Sequence, residues 1–446
     1  MVAPLRTAAP TPTDSTAATR RRTSRPEDWR PDDPEFWART GRRVARRNLV
    51  VSIATEHIGF SVWSLWSVLV LFLPESVYGI DPAGKFLLTT LPTALGAFVR
   101  LPYTFAVARF GGRTWTVISA ALLLVPTVAT AVVLRPGVSY ASLLIVSCLA
   151  GVGGGNFASS MANINAFYPD RLKGRALGLN AGGGNLGVPV VQVVALLVLA
   201  TAGAQHPRVL LAIYIPLVIV AALAAAAFMD DLPTARTRHR VMRQAARDRH
   251  TWLVSFLYVG TFGSFIGFSF AFGQVLQNQF RGSFGTPLAA ASLTWLGPLL
   301  GSLIRPLGGS LADRFGGARI TLCTFVAMAG GALVVWTAGR LHSLPLFVAG
   351  FVLLFLFSGI GNGSTYTMIP AIFRRRSRSA LSGAVIGIAG AVGAFGGVFV
   401  NLAFRQAFLS TGRGDAAYLG FLAFYGLCIA LTWAVYVRPG SRFLGV

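Results

Sequence analysis

The stretch Val99-Arg100-Leu101-Pro102 runs on to Ala108-Arg109-Phe110-Gly111-Gly112, and the same punctuation returns as Ile304-Arg305-Pro306 followed by Asp313-Arg314-Phe315-Gly316-Gly317. In both copies an arginine set in an apolar run precedes a second arginine by nine residues and a Gly-Gly turn by eleven. Such a repeat is a trace of internal duplication. A second match supports it: Gly151-Val152-Gly153-Gly154-Gly155 parallels Gly359-Ile360-Gly361-Asn362-Gly363 at nearly the same offset. The chain reads as two homologous halves.

Around these landmarks the sequence is too apolar for a water-soluble fold. Of 446 residues 54% are hydrophobic and only 12% charged, so no polar surface is available to cover a globule. Stretches of membrane-crossing length recur twelve times, at 48–74, 84–108, 115–134, 139–167, 175–202, 208–229, 252–277, 286–313, 319–339, 343–371, 379–408 and 415–437. Inside a bilayer no water satisfies the backbone, so these spans are helices. The expected fold class is an all-α membrane protein with twelve transmembrane helices in two pseudo-symmetric six-helix bundles.

The net charge of +24 raises the question of nucleic-acid binding, and its distribution answers it. Basic residues collect in the N-terminal tail (Arg20 to Arg22, Arg42, Arg43, Arg46, Arg47) and in every second loop: Arg109 and Arg113, Arg171 to Arg175, Arg236 to Arg249, Arg314 and Arg319, Arg374 to Arg378. The intervening loops carry isolated charges such as Arg135, Arg208, Arg281 and Arg340. This alternation is the positive-inside signal of a multi-pass protein in a cytoplasmic membrane, and an even number of spans puts both termini in the cytoplasm. The partner implied is a lipid bilayer, not nucleic acid. The expected organisation is a basic mobile cytoplasmic tail (1–47), an N-terminal six-helix bundle (48–229), a cytoplasmic linker (230–251), a C-terminal six-helix bundle (252–437) and a cytoplasmic tail (438–446). No cleavable signal precedes the first span, which is expected to direct insertion itself. Cys148, Cys323 and Cys428 fall inside spans without metal-ligand spacing and read as small packing residues; no metal or cofactor is implied.

Two repeated bundles joined by a basic linker, with a site between them at the bilayer midplane, is the architecture of secondary transporters. The segment Gly309-Ser310-Leu311-Ala312-Asp313-Arg314-Phe315-Gly316-Gly317-Ala318-Arg319 resembles the cytoplasmic loop motif of the major facilitator superfamily, which implies a gate role for Asp313 and Arg314. The matching loop of the first half has Ala108 in place of the acid, so a charge relay there is degenerate.

An arginine in the middle of a membrane helix costs about 3 kcal/mol on insertion scales, and persists where it faces a polar cavity or a partner. Arg100 and Arg305 hold equivalent positions, so the pseudo-two-fold relation brings them to opposite sides of one cavity. A guanidinium is a planar, permanently charged fork of donors suited to a small flat oxyanion. The competing reading is that each arginine only ties its helix to neighbouring carbonyls. In span five, Asn185 and Gln192 are seven apart and share a face, a neutral pair beside the arginines. In span four Asn156, Ser160 and Asn163 form one stripe, read as interhelical glue beside the close-packing seam Gly151, Gly155 and Ser159. Tyr258 and Phe262 of span seven are one turn apart; they are either packing or, with Phe60, an aromatic enclosure for the anion.

The run Gly153-Gly154-Gly155-Asn156-Phe157-Ala158-Ser159-Ser160-Met161-Ala162-Asn163-Ile164, with Ala176-Leu177-Gly178-Leu179-Asn180-Ala181-Gly182 and Gly184-Asn185-Leu186-Gly187, resembles the nitrate signature of the nitrate/nitrite porter family, the NarK-like transporters. The resemblance covers residues 48 to 437. It implies that Arg100 and Arg305 clamp nitrate or nitrite, that Asn185 and Tyr258 hydrogen-bond it, and that Phe60, Phe157 and Phe262 line the cavity. It also implies that the glycine-rich helices around Gly183 and Gly387 bend as the halves rock, in a monomeric transporter that is not an enzyme.

Span one carries Thr55-Glu56-His57-Ile58-Gly59-Phe60-Ser61-Val62-Trp63, with Glu56, Phe60 and Trp63 on one face. An intramembrane carboxyl is either a proton carrier or a counter-ion. Within the family this pattern resembles the branch associated with proton-coupled nitrate uptake, so protons join nitrate and nitrite as expected partners, and Glu56 is expected near Arg100. Exchange of nitrate for nitrite without protons is the rival mechanism, and a non-transporting membrane sensor the rival of another class.

Overall fold

The computed structural model describes residues 29–203, 205–232, 239–284, 287–443 and 445–446. The first 28 residues of the expected mobile tail, including Arg20 to Arg22, lie outside the described residues, as do Arg236 of the linker and residue 286 at the start of the eighth expected span. Among the described residues the regular structure is entirely helical.

Among the described residues eleven helices are long and apolar enough to cross a membrane: Pro34–Phe72, Pro82–Phe110, Gly112–Val133, Tyr140–Phe167, Asp170–Val198, Arg208–Phe228, Arg249–Gln279, Gly317–Arg340, Leu344–Arg375, Ser379–Thr411 and Asp415–Val437. They coincide with spans one to seven and nine to twelve. The eighth expected span exists as three shorter helices, Pro287–Ala291, Leu296–Leu303 and Arg305–Phe315. Its last break has a local cause: Pro306 has no N–H to give and its ring opposes the preceding turn, so a new helix starts at Arg305.

Span one begins well before residue 48. Asp33 caps the turn at Pro34 by accepting from the amides of Glu35 and Phe36, and the helix continues through the arginines into the membrane. Trp37 packs on Tyr168, and Arg47 and Asn48 both donate to the Asp230 carboxylate at the end of span six. The hydrophobic boundary at Asn48 therefore lies within the helix and does not mark where it starts. Asp231 caps span three, accepting from the amides of Arg113 and Thr114 at 2.8 and 3.3 Å.

Contacts between the halves concentrate at the end away from the basic loops. Phe86 of span two stacks on Phe404 and Phe408 of span eleven at 5.9 and 5.4 Å. Beside it Thr89 Oγ1 donates to Asn401 Oδ1 at 3.0 Å, and Gln192 Nε2 donates across to the Ser269 carbonyl at 3.1 Å. At the basic end Asp248, buried at the start of span seven, accepts from Arg376 Nη1 at 2.6 and 2.5 Å and from Arg378 at 3.2 Å, tying the linker to the loop after span ten.

Burial works to raise the Asp248 carboxyl, but the hydrogen bonds from Arg376 and the His250 amide outweigh it and hold its pKa below the ordinary 3.8. A carboxyl with a depressed folded pKa stabilises fully above its unfolded value and loses that contribution as pH falls through the folded one. Asp248→Ala should therefore cost roughly 2 kcal/mol near neutral pH, between the limits for exposed and buried pairs. The difference in apparent unfolding temperature between wild type and variant, followed by thermal melts in detergent, should hold steady above about pH 5 and close at more acid pH.

Candidate functional site

Both repeat arginines are buried, Arg100 fully and Arg305 to 7% exposure, and they converge on one aromatic ring. The Arg100 guanidinium carbon lies 4.9 Å from the Phe262 centroid and that of Arg305 lies 5.4 Å from it. Phe157, nearly parallel to Phe262 with centroids 6.2 Å apart, also lies against Arg100, its centroid 4.8 Å from the guanidinium carbon. Trp63 and Phe265 add further ring faces, to Arg100 at 5.4 Å and to Arg305 at 4.6 Å. Such contacts contribute on the order of 0.5–2 kcal/mol each when desolvated, and leave the cation's charge in place.

The polar partners are neutral too. Arg100 Nε donates to the Gly154 carbonyl at 3.1 Å and Nη1 to the Gly390 carbonyl at 2.9 Å, so one guanidinium joins spans four and eleven across the halves. Arg100 Nη2 is buried without a protein partner. Asn362 of span ten serves Arg305. With its amide oxygen turned to the arginine, the orientation in which donors meet acceptors throughout, it accepts from Nη2 and Nε at 2.5 and 3.1 Å and donates to the Tyr258 hydroxyl at 2.6 Å. The ring of Tyr366 stands 4.8 Å from that of Tyr258.

Local backbone geometry brings these groups together. Span seven turns from α to π geometry at Val259–Gly263, a wider turn that lets Tyr258 and Phe262 stack at 5.2 Å and 15°. Span eleven approaches without a side chain in the way: a Cβ on Gly393 would stand 2.3 Å from the Tyr258 ring.

A second polar cluster sits on span one. Glu56, 1% exposed, accepts at Oε2 from Ser160 Oγ of span four and from Asn180 Nδ2 of span five at 2.7 Å, while Oε1 is buried without a protein partner. His57 Nδ1 faces the Gly183 carbonyl at 3.3 Å.

A family model described as Major Facilitator Superfamily matches residues 53–401. The chain belongs to that superfamily. Its porter branch is equally plain. The "Nitrate/nitrite transporter NarU" of Escherichia coli (strain K12) is 37% identical, with 92% of this chain and 96% of the relative covered. The "Probable nitrate/nitrite antiporter NarK2" of Thermus thermophilus is 34% identical, with 93% and 97% covered. The crystal structure of a D-xylose-proton symporter overlays with a TM-score of 0.67, covering 87% of this chain and 97% of that one, a likeness of fold alone at 17% identity. The relatives are named as transporters, in agreement with a chain that is not an enzyme.

Of the residues expected at the porter's site, Arg100, Arg305, Tyr258, Phe262 and Phe157 come together. Phe60 sits one layer back, edge-on to Phe157 at 6.1 Å and to Trp63 at 5.3 Å; Phe157, not Phe60, is the ring facing Phe262. Asn185 returns its amide to the Ala181 carbonyl at 2.5 Å and hydrogen-bonds neither arginine; its presumed companion Gln192 reaches Ser269. Glu56 takes its donors from Ser160 and Asn180 rather than from Arg100, because the stripe it shares with Phe60 turns toward spans four and five. Ser160, read as glue, is thus a carboxylate partner. Asp313 and Arg314 are both exposed, and Arg314 lies over Phe315 at 5.0 Å. Gly183 meets Ile53 Cγ2 at 2.5 Å for an added Cβ, whereas Gly387 has its nearest neighbour at 3.9 Å. Sequence reasoning passed over Asn362, Tyr366 and the partnership of Asn180 with Glu56. Asn362 was visible as the one polar residue inside the second-half glycine repeat, where the first half has Gly154.

The two glycines of span eleven provide a test. Gly393→Ala should lower the apparent unfolding temperature, as overpacking a filled site costs about 1–3 kcal/mol, and Gly387→Ala should leave it unchanged or raise it slightly. Equal melting of the two variants in detergent would remove the close approach of span eleven to Tyr258.

Proposed function

We propose that this porter carries nitrate, and nitrite beside it, across the bacterial cytoplasmic membrane by alternating access, with its basic end and both termini in the cytoplasm. The observation that carries the reading is the pair of buried guanidiniums from equivalent positions of the two halves that share the Phe262 ring and have only neutral polar partners. Two cations without a directly paired carboxylate in a low-dielectric site favour one small anion between them. The family resemblance and the relatives' names supply its chemical identity. Arg100 Nη2 is a free donor for it, and Tyr258, whose oxygen accepts from Asn362, can turn its O–H from the neighbouring Tyr366 hydroxyl to the anion. Phe157 and Phe262 exclude water and match a planar ion.

Transport then requires the halves to rock about this site. The Phe86, Phe404 and Phe408 stack with the Thr89–Asn401 bond closes the end away from the basic loops, and it must part for an anion to enter from that side. The Arg100–Gly390 bond crosses the halves within the site itself, so an anion that takes over this donor loosens one direct tie between them. On this reading Arg100→Lys and Arg305→Lys should each lower nitrate uptake into proteoliposomes by roughly a hundredfold at unchanged expression, since an ammonium loses the planar fork worth about 3 kcal/mol. Near-normal uptake by either lysine variant would take the clamp out of the mechanism.

Uptake is driven, in this proposal, by proton symport at Glu56. Its carboxyl is held by neutral donors and keeps one oxygen free of protein partners, so it can take a proton without breaking an ion pair. An anion arriving at the arginines adds negative charge and favours that protonated form. Nitrate/nitrite exchange is the second reading, favoured by the shared ring: two fixed guanidiniums repel, so an unloaded carrier resists reorienting and one anion must replace another. Glu56→Gln separates the two. It should abolish the response of uptake to an imposed pH gradient while preserving nitrate counterflow in the same preparation. An unchanged pH response eliminates Glu56 as the proton site, whereas a wild type whose uptake ignores the pH gradient leaves exchange.

A further inference from the structure

The linker between the halves borders a cavity that shares no lining residue with the arginine site. Its helix, His239–Ala246, turns Val241, Met242, Ala245 and Ala246 to the core and exposes Arg240 and Arg243, with Arg247 continuing the same face. This is the pattern of a helix lying in the membrane interface with a basic face. Trp252, 52% exposed, donates its indole N–H to the Ala246 carbonyl at 2.8 Å, a position and chemistry typical of aromatic anchors at headgroup level.

Below the helix a cavity of 610 Å³ opens between the linker and the loop after span ten, lined by Gln244, Arg247, Asp248, Arg249, Arg376 and Arg378 among others. Asp248 is the acid in that lining, and it is engaged by Arg376 and Arg378. Arg247 and Arg249 are exposed at the rim. Four guanidiniums face one carboxylate, so the lining keeps a net positive charge. Asp248 fixes the fork of Arg376, while the two rim arginines are free to close on an incoming group.

We propose that this cavity binds the phosphate headgroup of an anionic phospholipid from the adjoining leaflet. A phosphodiester presents two charged oxygens to guanidinium forks, and basic pockets beside membrane helices recognise headgroups of this kind. The interfacial Trp252 and the amphipathic linker helix favour a lipid over free phosphate, because they put the cavity mouth at headgroup depth. The bound lipid would pin the linker, the one covalent connection between the halves, to the membrane.

The test uses the delipidated full chain in detergent, titrated with phosphatidylglycerol, phosphatidylcholine or orthophosphate and read by native mass spectrometry. Wild type should retain phosphatidylglycerol in preference to phosphatidylcholine. Arg247→Gln with Arg249→Gln should weaken that retention roughly 25-fold, at about fivefold for each interfacial arginine. Gln244→Glu, which adds a carboxylate to the lining without removing a contact, should weaken it independently. Arg135→Gln with Arg340→Gln, at the other end of the molecule, should not. Phosphatidylglycerol retention unchanged in both the arginine pair and Gln244→Glu, or equal retention of phosphatidylcholine by wild type, overturns the site. Displacement of the lipid by orthophosphate overturns the lipid as occupant. None of these readouts involves transport, so the result stands apart from the nitrate reading.

Discussion

Everything at the centre of this molecule answers to one constraint: two guanidinium charges are kept away from water with no carboxylate hydrogen-bonded to either. Burying a charge is expensive, and the usual remedy is an ion pair. Here the remedy is distributed over neutral groups. Backbone carbonyls of Gly154 and Gly390 serve Arg100, the Asn362 amide serves Arg305, and the faces of Phe157, Phe262, Phe265 and Trp63 cover both. A carboxylate would have been a stronger partner and a worse one, because it would compete with any anion for the same donors. Neutral partners stabilise the cations enough to fold and leave the electrostatic demand unmet.

That constraint reaches into the backbone. To bring carbonyls and rings within reach of two side chains, helices must approach more closely than ordinary residues allow. An added Cβ on Gly153 would stand 2.3 Å from the Gly59 carbonyl, and one on Gly393 would enter the Tyr258 ring. The halves also solve the problem differently, despite their common punctuation. Span two runs unbroken through Pro102, and Arg100 donates to main-chain carbonyls on two other helices. In the eighth segment the chain breaks ahead of Pro306, Arg305 opens a new helix, and a side-chain amide receives its donors. Sequence symmetry has survived where backbone symmetry has not.

What the sequence made legible follows from this. Hydropathy and charge alternation located the spans, since both depend only on local composition. The duplication and its two arginines were readable because a buried charge in an apolar run has few innocent explanations. The Tyr258 and Phe262 pair was readable from helical spacing, though the π turn that makes the rings parallel was not. Contacts between distant helices were not readable either. Asn185 and Asn180 stand five residues apart in the same glycine-rich run, and nothing local reveals that Asn180 reaches Glu56 while Asn185 folds back on its own helix. Likewise the first span was placed where its hydrophobicity begins, whereas its helix starts at Pro34, because Asp33 and Asp230 hold the polar turns outside the apolar segment.

The glycine run of span five takes on a different meaning once its neighbours are known. Asn180 donates to Glu56, the Gly183 carbonyl faces His57, and a Cβ on Gly184 would stand 2.5 Å from the Glu56 carboxyl carbon. Ser61 donates to the Gly187 carbonyl at 3.0 Å, and a Cβ on Gly187 would stand 2.1 Å from the His57 carbonyl. From Asn180 to Gly187 the run is a groove for residues 56 to 61 of span one. A family signature attributed to the anion is, in this chain, built around an acid. Ser160 of the span four signature closes the same pocket, so both signature segments touch Glu56. A sliding of span five against span one would change the number of donors on that carboxylate, and the stability of its charged form depends on that number. Helix movement and proton affinity are then two descriptions of one contact, which is the physical coupling that a proton-driven carrier needs and that a carboxylate paired directly with Arg100 would not provide.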